Sequence, residues 1–203
     1  MRSTGRFQVA LCWAWCAGAL LPAGAAFAAE PSPQAWGEAS DGLQMRIEPE
    51  SSRTAVPTFR VAFRNSGDRD LVVKLGITLA NGAKQYPNAV VLMLTDAQGK
   101  SRQLDPIEPA FVAGRLDPFI LLLPVGATFS VPINLAKYWA ATSREWEYKL
   151  TAGTYTLEAH FTGASVSGPE ANLDVQGISL MPFWKGTIAS NRLRFEVRTQ
   201  PTG

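Results

Sequence analysis

Alternation of apolar and polar side chains dominates the chain after residue 36. Between Leu150 and Phe161, Tyr155, Leu157, Ala159 and Phe161 fall on one face and Thr154, Thr156, Glu158 and His160 on the other. This period of two marks a half-buried strand, entered through a turn at Gly153. The same pattern predicts a first strand over Gly42–Ile47, ended by Pro49, and a second over Pro57–Arg64 with Phe59, Val61 and Phe63 inward. The cluster Asn65-Ser66-Gly67-Asp68 predicts a turn, Gly67 being the residue best able to take a positive φ, and Leu71–Leu79 supplies the third strand. Asn81-Gly82 is a strong hairpin signal, with a return strand expected from Ala89 to Thr95. That strand is nearly all apolar, which fits a centrally covered strand and equally an exposed protein-binding edge.

Asp96-Ala97-Gln98-Gly99 then turns the chain so that Lys100–Leu104 pairs back. Asp105–Pro118, with three prolines, Gly114, three acidic residues and Arg115, reads as a long loop. Phe119–Leu123 is a short apolar strand, Pro124-Val125-Gly126 a turn, and Thr128–Ile133 a strand that Pro132 places at an edge. Leu135, Tyr138 and Trp139 are spaced for one or two helical turns, and Trp146 and Tyr148 lead towards Leu150. Gly163–Gly177 is a second long loop, and Ile178–Trp184 is apolar but broken by Pro182. A final strand over Gly186–Arg198 turns Leu193, Phe195 and Val197 inward and Arg192, Arg194, Glu196 and Arg198 outward. No repeat, heptad or long helix interrupts this spacing, so the expected fold is an all-β antiparallel sandwich with long loops and at most one short helix.

The first residues change the compartment. Arg2 and Arg6, an apolar run from Val9 to Leu21 and the small residues ending Ala26-Phe27-Ala28 fit a secretory signal peptide over 1–28. Its apolar run is about 13 residues, short of the roughly 20 needed to span a bilayer, and no second such run follows. Cys12 and Cys16 leave with this leader, so the mature chain has neither disulfide nor cysteine nucleophile. Bulky Leu11 and Trp15 before these cysteines argue against a lipoprotein signal. Residues 29–35 form a flexible lead-in, and 36–199 one domain with its own core. Loss of Arg2 and Arg6 lowers Lys plus Arg from 19 to 17 against 17 acidic residues. A neutral exported chain is not a nucleic-acid binder. The expected location is periplasmic or extracellular.

The Gly153-Thr154-Tyr155 entry resembles the tyrosine corner of immunoglobulin-like sandwiches, which implies a Tyr155 hydroxyl bonded back to upstream backbone. Together with Phe63-Arg64-Asn65-Ser66-Gly67-Asp68 and the run from Trp184-Lys185-Gly186-Thr187 to Ser190-Asn191, it is similar to exported bacterial immunoglobulin-like domains of unassigned function. The likeness spans most of the mature chain and implies fold and compartment without catalytic residues. The first half also faintly resembles the Bacillus-type intracellular proteinase inhibitor sandwich, from which the export signal departs.

Catalytic groupings are sparse. His160, the only histidine, points outward on the strand pattern, and no nucleophile elbow surrounds Ser165 or Ser167. One histidine and no cysteine leave too few ligands for structural zinc. Asp105, Glu108 and Asp117 bracket the long loop, yet their spacing matches no calcium loop, and they read as solubilising rather than as a glycosidase pair. The glycines are dispersed at turns, so no phosphate loop forms. No cofactor or metal is expected, and the chain reads as a non-enzymatic module. An envelope protein is the expected partner, bound through a strand edge or through the Asp105–Pro118 loop, where Phe111 and Arg115 are the contact candidates. Glycan binding by exposed tryptophans is the alternative, with Trp139 and Trp184 outside clear strands as the candidates; loop insertion into a protease is a third. The arginines of the second and last strands would form one basic face only if those strands share a sheet.

Overall fold

A computed structural model of the chain describes residues 35–50, 57–79, 84–107, 116–140, 150–166 and 176–197, which belong to one unit spanning Pro31–Gly203. The predicted leader lies outside the described residues. The strands are β1 (Leu43–Glu50), β2 (Thr58–Asn65), β3 (Leu71–Leu79), β4 (Lys84–Tyr86), β5 (Val90–Asp96), β6 (Ser101–Pro106) and β7 (Asp117–Leu123). They continue with β8 (Thr128–Asn134), β9 (Tyr138–Trp139), β10 (Gly153–Gly163), β11 (Gly186–Ala189) and β12 (Leu193–Val197). A 3-10 turn at Leu135–Lys137 and a four-residue helix, α1 (Gln176–Ser179), complete the described elements. No helix among the described residues is long and apolar enough to cross a membrane. The fold is an all-β antiparallel sandwich.

The strands form three sheets, of order β1-β2-β8, β4-β3-β7 and β11-β10-β5-β6-β9 with β12 also on β10; the first two, joined by backbone bonds at Asn65, are taken together as the first layer and the third as the second. The first layer is a bent ribbon. β2 pairs with β8 and β3 with β7, so the chain passes twice through one corner, at 65–70 and again at 124–127. Asn65 joins the two passages: its N–H donates to the Ala127 carbonyl, 3.0 Å, and its own carbonyl accepts from Gly126 N–H, 2.9 Å. In the second layer, β11 and β12 lie end to end along β10, on residues 160–163 and 153–157.

The core lies between the layers, and each strand turns the predicted face inward. Phe59, Val61 and Phe63 of β2, Leu92 and Leu94 of β5, and Leu157, Ala159 and Phe161 of β10 are all buried. Aromatic edges lock the layers: Phe63 meets Phe161 with centroids 5.3 Å apart, and Phe59 meets Phe195 at 5.1 Å. Tyr138 donates from its hydroxyl to the Val90 carbonyl, 3.2 Å, and burial pushes its phenol far above the ordinary value. The tyrosine corner is formed as expected, Tyr155 Oη donating to the Thr151 carbonyl at 3.0 Å while its ring stacks on Phe195. Tyr155→Phe is expected to lower stability by about 1 kcal/mol, read as a shifted urea midpoint with an unchanged slope.

Several boundaries differ from the sequence reading. β1 does not stop at Pro49 but pairs through Glu50. Ile47 N–H donates away from β2, to Asn191 Oδ1 at 2.8 Å, and Pro49, two residues on, faces the same way, so its missing N–H removes no ladder bond. The strand that returns along β3 is β4, not Ala89–Thr95; β5 crosses into the other layer and lies centrally between β10 and β6. Gly76 permits that departure, because a Cβ there would lie 2.1 Å from the Tyr86 carbonyl oxygen. Gly67 is not at positive φ; it is needed for its close approach to Gly42, a Cβ on it lying 3.0 Å from the Gly42 Cα. The last strand is broken at Ser190, whose Oγ accepts from Ala159 N–H, 2.9 Å, in place of a backbone partner. The segment expected to be helical gives one 3-10 turn before β9, and Pro132 does mark an edge, that of β8.

Candidate functional site: the β7 edge

Among the described residues, Trp36, Trp139 and Trp184 do not form a row. Trp184 is 5 % exposed, which corrects its expected exposure. Its ring stacks on Phe161 at 5.7 Å, its Nε1 donates to the Ser40 carbonyl, 3.2 Å, and it covers the cross-strand pair Gly163 and Gly186. Glycines facing each other leave a gap in the sheet, and an aromatic ring laid over them restores the lost packing. Trp139 is half-buried in β9, opposite Asp105, at the opposite end of that sheet from β11, one of the two strands Trp184 covers. Trp36 lies half-buried with the guanidinium carbons of Arg46 and Arg64 at 4.8 and 4.6 Å from its ring centroid. Phe111, Arg115 and Trp146 lie outside the described residues.

The polar candidates also separate. β2 and β12 belong to different layers, so their arginines form no common sheet face. Arg60 pairs with Glu50 at 2.6 Å, and Arg192 with Glu158 at 3.3 Å. His160 is on the outward face with Nε2 3.8 Å from Glu158 Oε2 and without a hydrogen-bond partner for that nitrogen among the described residues. Asp105 and Asp117 stand in different layers, and Glu108 lies outside the described residues. A shallow cavity of about 480 Å³ at the corner is lined by Asp41, Gly42, Gly67, Asp68, Arg69 and Leu71. Among the described residues no group of three or more His, Cys, Asp or Glu side chains gathers to hold a metal.

What remains is a sheet edge. Open edges carry unpaired backbone groups and are normally blunted by charge, proline, shortness or cover. Here β4 is three residues long and begins with Lys84, β9 has two residues, and β8 carries Pro132. The outer side of β1 is occupied, with Gly37 N–H on the Met45 carbonyl and Asn191 on Ile47 N–H. The β11–β12 edge is interrupted at Ser190 and bears Arg192, Arg194 and Glu196. β7 differs. It pairs only with β3 among the described residues, and from Phe119 to Leu123 it carries no charge and no proline.

The outer face beside this edge is apolar as well. Phe119, Leu121 and Leu123 turn into the main core, while Ile120 and Leu122 point out. The chain around α1 is laid over that outer face: Phe183 bridges Val72, and Ile178, Phe183 and Val166 form a small second core with Val72 and Ile120. The cover stops short of the edge. Leu122 stays 59 % exposed, and Leu180 and Met181 on the covering segment are 84 % and 36 % exposed. Single exposed apolar residues are ordinary, but Leu122 stands on a strand whose outer backbone edge is open as well. The runs Phe119–Leu123 and Ile178–Trp184 are visible in the sequence; which of their side chains face water is not.

No protein-family model matches the chain, and no curated protein matches its sequence.

Proposed function

We propose that the mature chain is an exported, non-catalytic, immunoglobulin-like module of the cell envelope that binds a protein partner by strand addition at β7. The observation that carries this reading is the contrast between β7 and the other edges: it alone among those described offers a five-residue uncharged ladder beside exposed Leu122. An extended partner segment gains main-chain hydrogen bonds along such an edge, and its alternate side chains read the apolar face next to it. The leader reading supports export, and the paired arginines and neutral charge support a partner held by apolar and backbone contacts rather than by attraction to a polyanion.

The test is affinity capture from envelope extract by the processed protein, compared with Leu122→Lys and with Gln98→Lys on the exposed β5–β6 turn. Both substitutions are at exposed positions, so stability should stay within about 0.5 kcal/mol of the parent. One stoichiometric protein retained by the parent and by Gln98→Lys, and lost with Leu122→Lys, is the expected result. Retention that Leu122→Lys leaves unchanged would place binding elsewhere. Retained glycan, released by free sugar and lost on Trp139→Ala, would replace this reading with the carbohydrate one.

A further inference from the structure

Resting on the β7 reading, we infer that the strand this edge accepts is β7 of a second copy, paired antiparallel about a two-fold axis through Leu121. The argument is the symmetry of the segment Pro118-Phe119-Ile120-Leu121-Leu122-Leu123-Pro124. A two-fold axis makes an interface self-complementary, so each residue must suit the one it meets in the other copy. With the axis at Leu121, Ile120 meets Leu122, Phe119 meets Leu123, and Pro118 meets Pro124. The prolines therefore end the ladder at both ends in both copies, and no N–H within it is missing.

Charge and exposure agree with this pairing. Asp117, the one charged residue of β7, would face Val125, itself 52 % exposed, so no like charges meet. Leu122, the most exposed side chain of the strand, would lie against Ile120 of the second copy on the outer face. Opposed apolar side chains across an antiparallel pair are the unit that stabilises a sheet. A five-residue ladder with one row of outer contacts is smaller than the roughly 800 Å² per partner of a stable interface, so the dimer is a weak, reversible one.

Sedimentation velocity of the processed protein, purified after expression of the full precursor, tests this over roughly two decades of concentration up to about 0.5 mM. The expected result is a weight-average mass that climbs towards twice the monomer value, and Leu122→Lys that stays monomeric throughout with an unchanged urea midpoint. Register is tested separately. The mature chain has no other cysteine, so an equal mixture of Ile120→Cys and Leu122→Cys proteins should give a disulfide-linked dimer on mild oxidation faster than either alone. A parent that remains monomeric overturns the inference, as does a dimer that Leu122→Lys fails to disrupt or cross-linking no faster in the mixture. If the parent is monomeric yet captures a protein that Leu122→Lys loses, the edge still binds a partner and only the self-pairing is wrong. If neither occurs, both readings fall.

Discussion

Asn65→Leu is expected to cost about 4 kcal/mol, enough to leave the protein largely unfolded at physiological temperature if its stability is ordinary. Asn65 is fully buried at the corner where the first layer bends. Its Nδ2 donates to the Arg69 carbonyl at 2.8 Å and the Leu123 carbonyl at 2.9 Å, and its Oδ1 accepts from Gly67 N–H at 3.0 Å. Leucine matches the volume but satisfies none of these groups, and a buried carbonyl or N–H left without a partner costs about 1 to 3 kcal/mol. Three of them share one corner, although those near the Gly67 turn can recover some water.

Asn65→Asp separates hydrogen bonding from shape. The carboxylate keeps the bond from Gly67 but sets negative charge against two carbonyl oxygens, which favours the protonated form in the folded protein. Its folded-state pKa is then raised above the unfolded value, so stability relative to the parent is best below the unfolded pKa and is lost as pH rises through the folded one. Urea midpoints of parent and variant at pH 4 and pH 7 check this, and a difference that is the same at both would show that packing alone matters.

Trp184→Ala is expected to cost about 3 to 5 kcal/mol, the range for truncating a buried large aromatic. The variant loses the stack on Phe161, the bond to the Ser40 carbonyl, and the cover over Gly163 and Gly186, and it opens a cavity between β10 and β11. Glycines cannot supply the missing atoms, so the gap collapses poorly. Denaturant titration followed by far-ultraviolet circular dichroism measures the loss without relying on the removed fluorophore. A change below about 1 kcal/mol would indicate that Trp184 is far more exposed than its 5 % implies.

Trp184 also shows where local reading stops. A tryptophan outside a clear strand, after Pro182, has the surroundings of a surface aromatic. Its burial is set by Gly163, more than twenty residues earlier, which comes opposite Gly186 only once β10 and β11 pair. Gly67 teaches the same lesson in reverse: its turn is legible, but its reason is a second turn, at Gly42, that folding brings against it. Trp139 keeps partial exposure, and Phe111 and Arg115, the loop candidates, lie outside the described residues.

The longer alternating strands such as β2 and β10, their inward faces and the Tyr155 corner follow from the order of residues, because side chains alternate across a strand and a corner spans only a few positions; the short β4 and β9 carry no such pattern. The same order marks Pro132 as an edge residue, since the missing N–H is a property of proline itself. Sheet membership does not follow. That β5 leaves the β3 hairpin for the other layer, that β2 and β12 share no sheet, and that β7 has one neighbour among the described residues depend on pairings between distant segments. So does the exposure of Leu122, which alternation assigns to the outer face but which stays in water because the chain around α1 covers Val72 and Ile120 and ends before reaching it. A side chain's direction is a local consequence of backbone geometry, whereas what lies above it is decided by the rest of the chain.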